Sequence, residues 1–202
     1  MSRNIITISG GGFSEQEHAL IDAYILSLKR TQYPIEIGFI GTASNDAAGY
    51  IEKFYTAFQA EAATHFPIAA FTKNSIQQEI NALDIIYVGG GNTTYMLDIL
   101  RKTSFDQVLK NAYEHGVIIA GISAGAMCWF EKCLVEVNGQ HQLIEGLGLL
   151  KGILCPHYND ETYATPFEQF VTNYTSAPIY RLQDADNLHF RNERCIAKIT
   201  TY

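Results

Sequence analysis

Apolar residues recur along this chain in two modes: short continuous runs bounded by turn residues, and longer segments in which they return every three or four positions. The short runs are 4–9, 36–41, 66–71, 84–89 and 117–122. Several are apolar at consecutive positions, as strands covered on both faces must be. Between them, 14–29 opens on Ser14-x-x-Glu17, a capping box, and repeats Leu20, Tyr24 and Leu28 at helical spacing. Residues 46–61 place Ile51, Phe54, Tyr55 and Phe58 on one stripe, and 93–101 and 104–114 read as two further helices. Strand and helix in alternation predict an α/β three-layer sandwich, a mostly parallel sheet between helices.

The pattern changes after residue 123. Runs 133–137 and 141–144 flank Asn138-Gly139, a strong hairpin signal, and 179–182, 187–191 and 194–199 read as short strands. Antiparallel additions to a parallel core are expected there. With 202 residues, 47% hydrophobic and 17% charged, and with no internal repeat or linker, one domain spanning 1–202 is expected.

Charge narrows the partners. A net charge of −7 and no run of Lys or Arg that could follow a phosphate backbone argue against nucleic acid. No apolar stretch reaches the ~18 residues of a membrane span, and the first residues lack a signal-peptide pattern, so a cytoplasmic protein without membrane contact is expected. Cys128, Cys133, Cys155 and Cys195 then read as buried thiols rather than disulfides.

The chemistry concentrates at Gly121-Ile122-Ser123-Ala124-Gly125, where an apolar run enters a helix-compatible segment. This is the pattern of a nucleophile elbow, with Ser123 at the apex of a strained turn. A serine hydroxyl is a weak nucleophile without a base, and the base needs an orienting carboxylate. Gly89-Gly90-Gly91-Asn92-Thr93 also follows a predicted strand and precedes a helix. It could cradle a phosphate, but Asn92 stands where a P-loop has lysine, and Gly10-Gly11-Gly12 lacks the third glycine of a dinucleotide fingerprint. Beside an elbow, the N–H groups of Gly90 and Gly91 with that of Ala124 would instead form an oxyanion hole. Of the histidines 18, 65, 115, 141, 157 and 189, His18 and His115 fall on predicted surface helices and His141 just past the hairpin turn. His157 stands at the end of a strand stopped by Pro156, where functional groups of open α/β sheets collect.

Gly-Gly-Gly-Asn-Thr at 89–93, the elbow with its continuation to 130, Glu-Gly-Leu-Gly-Leu-Leu at 145–150 and Cys-Pro-His-Tyr-Asn at 155–159 together resemble the dipeptidase E family of serine peptidases, which also contains cyanophycinase. The resemblance runs from the first strand to about residue 160. It implies a fold like the class I glutamine amidotransferase domain with serine at the elbow, Ser123 as nucleophile, His157 as base and then acid, and the Gly91 and Ala124 amides as oxyanion hole. It also implies an acid shortly after the elbow, which makes Glu136 the first choice. A second family proposal, a glutamate near the C-terminus, points to Glu193, and Asp184 or Asp186 could also approach.

Substrate selection departs from the family. Its aspartyl dipeptidases are thought to hold an N-terminal Asp with a basic side chain downstream of the histidine, yet 158–180 contains no Lys or Arg. Selectivity for Asp-X is therefore not expected. Asn92, Asn159, Asp160 and Glu161 are the candidate substrate-binding residues, the two acids facing an α-amino group or a basic side chain. The expected function is cleavage of short peptides through an acyl-enzyme on Ser123, by a monomer or homodimer, without metal or organic cofactor. An amidase, esterase or cyanophycinase-like hydrolase and a non-catalytic binding member of the fold are the alternatives.

Overall fold

The structure, a computed structural model, describes residues 2–15, 20–29, 34–172 and 177–201. The first half builds the sheet: β1 (Asn4–Ile8), β2 (Glu36–Ile40), β3 (Ala62–His65), β4 (Ile85–Val88) and β5 (Ile118–Ile122). These five pair in parallel in the order β1-β5-β4-β2-β3. The C-terminal strands β10 (Asp186–Arg191) and β11 (Arg194–Thr200) extend the β1 side as an antiparallel ribbon, completing seven strands. The fold is thus mixed α/β with a mostly parallel central sheet.

Consecutive apolar positions on the central strands serve two cores. Ile6, Ile8, Ile37, Phe39, Ile85 and Tyr87 face one side, against α1 (Leu20–Ser27) and α2 (Ala48–Ala57). Ile5, Ile40, Ile86, Val88 and Ile119 face the other, against α3 (Ile76–Asn81), α4 (Thr93–Lys102), α5 (Phe105–Glu114) and the short α6 (Ala124–Met127). Burial on both faces is what removes the alternation expected of a half-exposed strand.

A second, four-stranded sheet has the order β7-β6-β8-β9, made of β6 (Phe130–Val137), β7 (Gln140–Glu145), β8 (Leu150–Cys155) and β9 (Ile179–Arg181). β6 and β7 form the expected hairpin, with Asn138 and Gly139 both at positive φ, 52° and 75°. β8 runs parallel to both β6 and β9. After β8 the chain makes a turn and enters α7 (Glu161–Val171).

Four expectations are corrected. Residues 66–71 hold a 3-10 turn at Ile68–Ala70, not a strand; the edge strand is Ala62–His65, where pairing to β2 outweighs a more polar composition. Ser14 ends a 3-10 turn and its hydroxyl bonds to the Gly11 carbonyl, while Glu17 of the expected capping box lies outside the described residues. Cys195 is exposed on edge strand β11, although Cys128, Cys133 and Cys155 are buried. On the stripe of α2, Phe54 and Phe58 are buried but Tyr55 faces solvent, because the helix is only partly covered.

Candidate active site

β5 delivers Ser123 from the middle of the sheet into the first turn of α6. Its backbone sits at φ 51° and ψ −108°, a strained conformation for a residue with a side chain. Close packing holds it there. A Cβ on Gly121 would lie 2.0 Å from the Gly125 carbonyl oxygen, and one on Gly125 would lie 2.3 Å from that of Val88. Glycine at both positions lets the strand, the turn and β4 approach backbone to backbone. The Ser123 N–H is bonded to the Ile8 carbonyl, and its own carbonyl accepts from Ala126 and Met127 to start the helix.

His157 leaves the end of β8 after Pro156, also at positive φ, 53°. Its Nε2 lies 3.0 Å from Ser123 Oγ, and its Nδ1 lies 2.5 Å from Asp184 Oδ1. Asp184 comes from the loop between β9 and β10. Its second oxygen accepts from the Asn159 amide at 2.7 Å, and its backbone N–H donates to Asn159 Oδ1 at 2.9 Å, so the side chain and loop are fixed together. Behind His157, the buried Ser9 hydroxyl accepts the His157 N–H at 2.7 Å and donates to the Leu182 carbonyl at 3.1 Å. Ser9 ends the run begun by β1, so one hydroxyl ties the first strand to both loops that carry the imidazole and the carboxylate.

This geometry revises several sequence assignments. Asp184, an alternative for the acid, faces His157 Nδ1. Glu136, the first choice, stands on β6, where its partner is His141 of β7 at 4.0 Å, because cross-strand register brings those two together. Glu193 is held by Arg3 and by the Tyr113 hydroxyl, which draws its carboxyl below the ordinary range despite opposing burial. Asp186 is bonded to Thr200 and Lys198 across the ribbon.

The Gly89–Gly91 loop lies against the nucleophile: a Cβ on Gly90 would be 3.4 Å from that of Ser123. The Gly90 N–H, however, donates to the Tyr50 hydroxyl at 3.2 Å, which removes it from the expected oxyanion hole. The N–H groups of Gly91 and Ala124 have no acceptor among the described residues. Both are unengaged donors, that of Ala124 at the start of a helix.

Of the substrate-binding candidates, three are engaged in holding the fold. Asn92 caps α4 by accepting from the Tyr95 N–H. Asn159 is bonded to Asp184, as above. Asp160 caps α7, accepting from the N–H and hydroxyl of Thr162, and these bonds draw its carboxyl below the ordinary range. The segment after His157 is therefore the start of a capped helix. Glu161 lies exposed in its first turn.

A serine within hydrogen-bond reach of an imidazole whose far nitrogen meets a carboxylate is suited to acyl transfer. Comparison with known proteins agrees with a hydrolase. The model of Peptidase family S51 matches residues 5–198. The chain belongs to peptidase family S51. This S51 chain is 36% identical over 203 residues to Uncharacterized peptidase YgaJ of Bacillus subtilis (strain 168), covering 98% of this chain and 88% of that protein. Among solved structures, one from Listeria monocytogenes EGD-e aligns over 100% of both chains with a TM-score of 0.71 at 20% identity. A peptidase from an acI-B1 Actinobacterium aligns over 94% of this chain and 84% of its own, also at 0.71 and with 17% identity. At those identities the solved structures speak for the fold alone. No helix among the described residues of the S51 chain is long and apolar enough to cross a membrane.

Proposed function

We propose that this S51 peptidase is of the serine type and cleaves short peptides through an acyl-enzyme on Ser123. The observation that carries the reading is the series Ser123 Oγ, His157 Nε2, His157 Nδ1 and Asp184 Oδ1, at 3.0 and 2.5 Å. With Asp184 holding the Nδ1 proton, Nε2 is free to take the proton of Ser123 as Oγ attacks the scissile carbonyl. The carbonyl oxygen becomes negative, and the Gly91 and Ala124 amides are the donors available to it. Collapse of the tetrahedral species breaks the C–N bond, and the imidazolium gives its proton to the leaving amine. Water, deprotonated by the same nitrogen, then releases the acyl group.

The mixed parallel sheet and the elbow at its centre fit a single domain like that of class I glutamine amidotransferases, with serine in place of cysteine. The three residues come from widely separated parts of the chain and every step uses its own side chains and amides.

The test is amine release from a mixed library of dipeptides and tripeptides, read by mass spectrometry for wild type and Ser123→Ala. Members that disappear only with wild type are the expected result. Equal loss with both proteins, or hydrolysis of esters and simple amides with no peptide cleaved, would set the reading aside.

A further inference from the structure

A cavity of about 270 Å³ opens beside the histidine, between α6, the β6–β7 hairpin, the end of β8 and α7. Three of its lining residues touch the triad. Pro156 directly precedes His157, the Tyr163 ring lies 5.2 Å from the imidazole, and the Met127 N–H is bonded to the Ser123 carbonyl. The volume falls below the range of pockets for whole drug-sized ligands and suits one side chain.

Its chemistry is apolar. Leu134, Leu154, Pro166 and Phe167 join Met127 in the wall, and burial pushes the Cys155 thiol up to about 12, so it stays neutral. Of the polar lining, the Thr162 hydroxyl donates to Asp160, and Glu136 stands opposite His141. Among the described lining residues there is no Lys or Arg. A carboxylate entering here would lose water to a largely apolar wall and meet Glu136, with no Lys or Arg to compensate and His141 already opposite Glu136.

We infer that this cavity is the subsite for a bulky apolar side chain on a residue flanking the scissile bond. The preferred substrates are then short peptides with Phe, Leu or Met at that place, and an acidic residue there is rejected. The inference rests on the serine-peptidase reading of Ser123. Burial of such a side chain against leaving a glycine is worth on the order of 10–100-fold in kcat/KM.

The experiment measures kcat/KM on dipeptides that carry Phe, Leu, Gly or Asp at each of the two positions in turn. Wild type is compared with Leu134→Trp and with Thr162→Trp, an exposed site where a bulky residue leaves the core untouched. At one position wild type should prefer Phe or Leu over Gly by about 10–100-fold and Asp least, and filling the cavity should bring the Phe-to-Gly ratio down by about tenfold or more. Ser123-dependent cleavage without that ranking, or a ratio unmoved by a folded filled variant, overturns the subsite alone. Absence of any Ser123-dependent cleavage overturns the serine-peptidase reading and the subsite with it.

Discussion

A histidine that is to take a proton at Nε2 must keep its own on Nδ1, and under the proposed mechanism the Asp184 carboxylate, 2.5 Å from Nδ1, would hold that proton. Asparagine at 184 could present its amide N–H to the same nitrogen and favour the opposite tautomer. Asp184→Asn should therefore lower kcat by about 10²–10⁴-fold with little change in folding. Glu193→Gln is the contrasting variant, because Glu193 pairs with the exposed Arg3 and accepts from the hydroxyl of the buried Tyr113, not from His157. It should leave turnover within about twofold and barely move the urea midpoint, because the amide keeps an acceptor for Tyr113 and the exposed pair with Arg3 contributes little. Steady-state kinetics of the two purified variants, with urea unfolding of each, separates the assignments; equal losses of turnover would contradict them. That Ser123 and His157 would meet was suggested by the sequence because each sits in a local pattern, a glycine-flanked apex and a proline-stopped strand, and the structure places them 3.0 Å apart. Asp184 was one of several open choices because its place beside His157 comes from the β9–β10 loop returning to the sheet, and no local spacing encodes that return. Ser9 was invisible for the same reason: a serine beside three glycines reads as turn chemistry until His157 and Leu182 are seen around it.

Among elements, the glycine loop after β4 depends on a residue two layers of sequence away. Tyr50, on α2, accepts the Gly90 N–H, and burial raises the tyrosine's own pKa, so its hydroxyl remains protonated. Removing that hydroxyl leaves the Gly90 N–H without its acceptor, next to the amide of Gly91. Tyr50→Phe should lower kcat by about 5–30-fold, from one lost hydrogen bond of roughly 1–2 kcal/mol, while KM changes little. A rise in KM at constant kcat would mean that the loop binds substrate instead of aligning the amide. The helices and strands themselves were largely readable, since strands buried on both faces and the Asn-Gly hairpin carry strong patterns. α7 escaped notice because Pro166 and a run of hydroxyl and acidic residues argue locally for a loop, whereas the Asp160 cap and burial of Phe167 and Val171 make a helix. β3 was displaced for a similar reason: the more apolar 66–71 lies just beyond the strand that pairs with β2.

At the scale of the whole molecule, two buried titratable groups on elements flanking β1 give the stability opposing dependences on pH. Burial pushes the Asp22 carboxyl up from 3.8 to about 7, against the opposing pull of the Tyr87 hydroxyl bonded to it. The folded chain keeps that proton while the unfolded chain has lost it, so the contribution is full below about 4 and fades as pH rises to about 7. His189 does the reverse. Burial, helped by Arg191, lowers it from 6.5 to about 4, and its neutral ring receives the Tyr24 hydroxyl at Nδ1 and donates from Nε2 to Asn4 Oδ1. Its contribution is full above 6.5 and is lost as pH falls toward 4, because the unfolded chain then takes up a proton that the folded chain refuses. Each slope is about 1.4 kcal/mol per pH unit over its window, and between about pH 4 and 6.5 they cancel. Asp22→Asn, which keeps an acceptor for Tyr87, should thus gain stability relative to wild type with rising pH across that interval, and His189→Gln should lose it. Urea unfolding of the three proteins from pH 4 to 7.5 measures both differences, and curves that stay parallel to wild type would show that neither group carries a shifted proton in the folded chain.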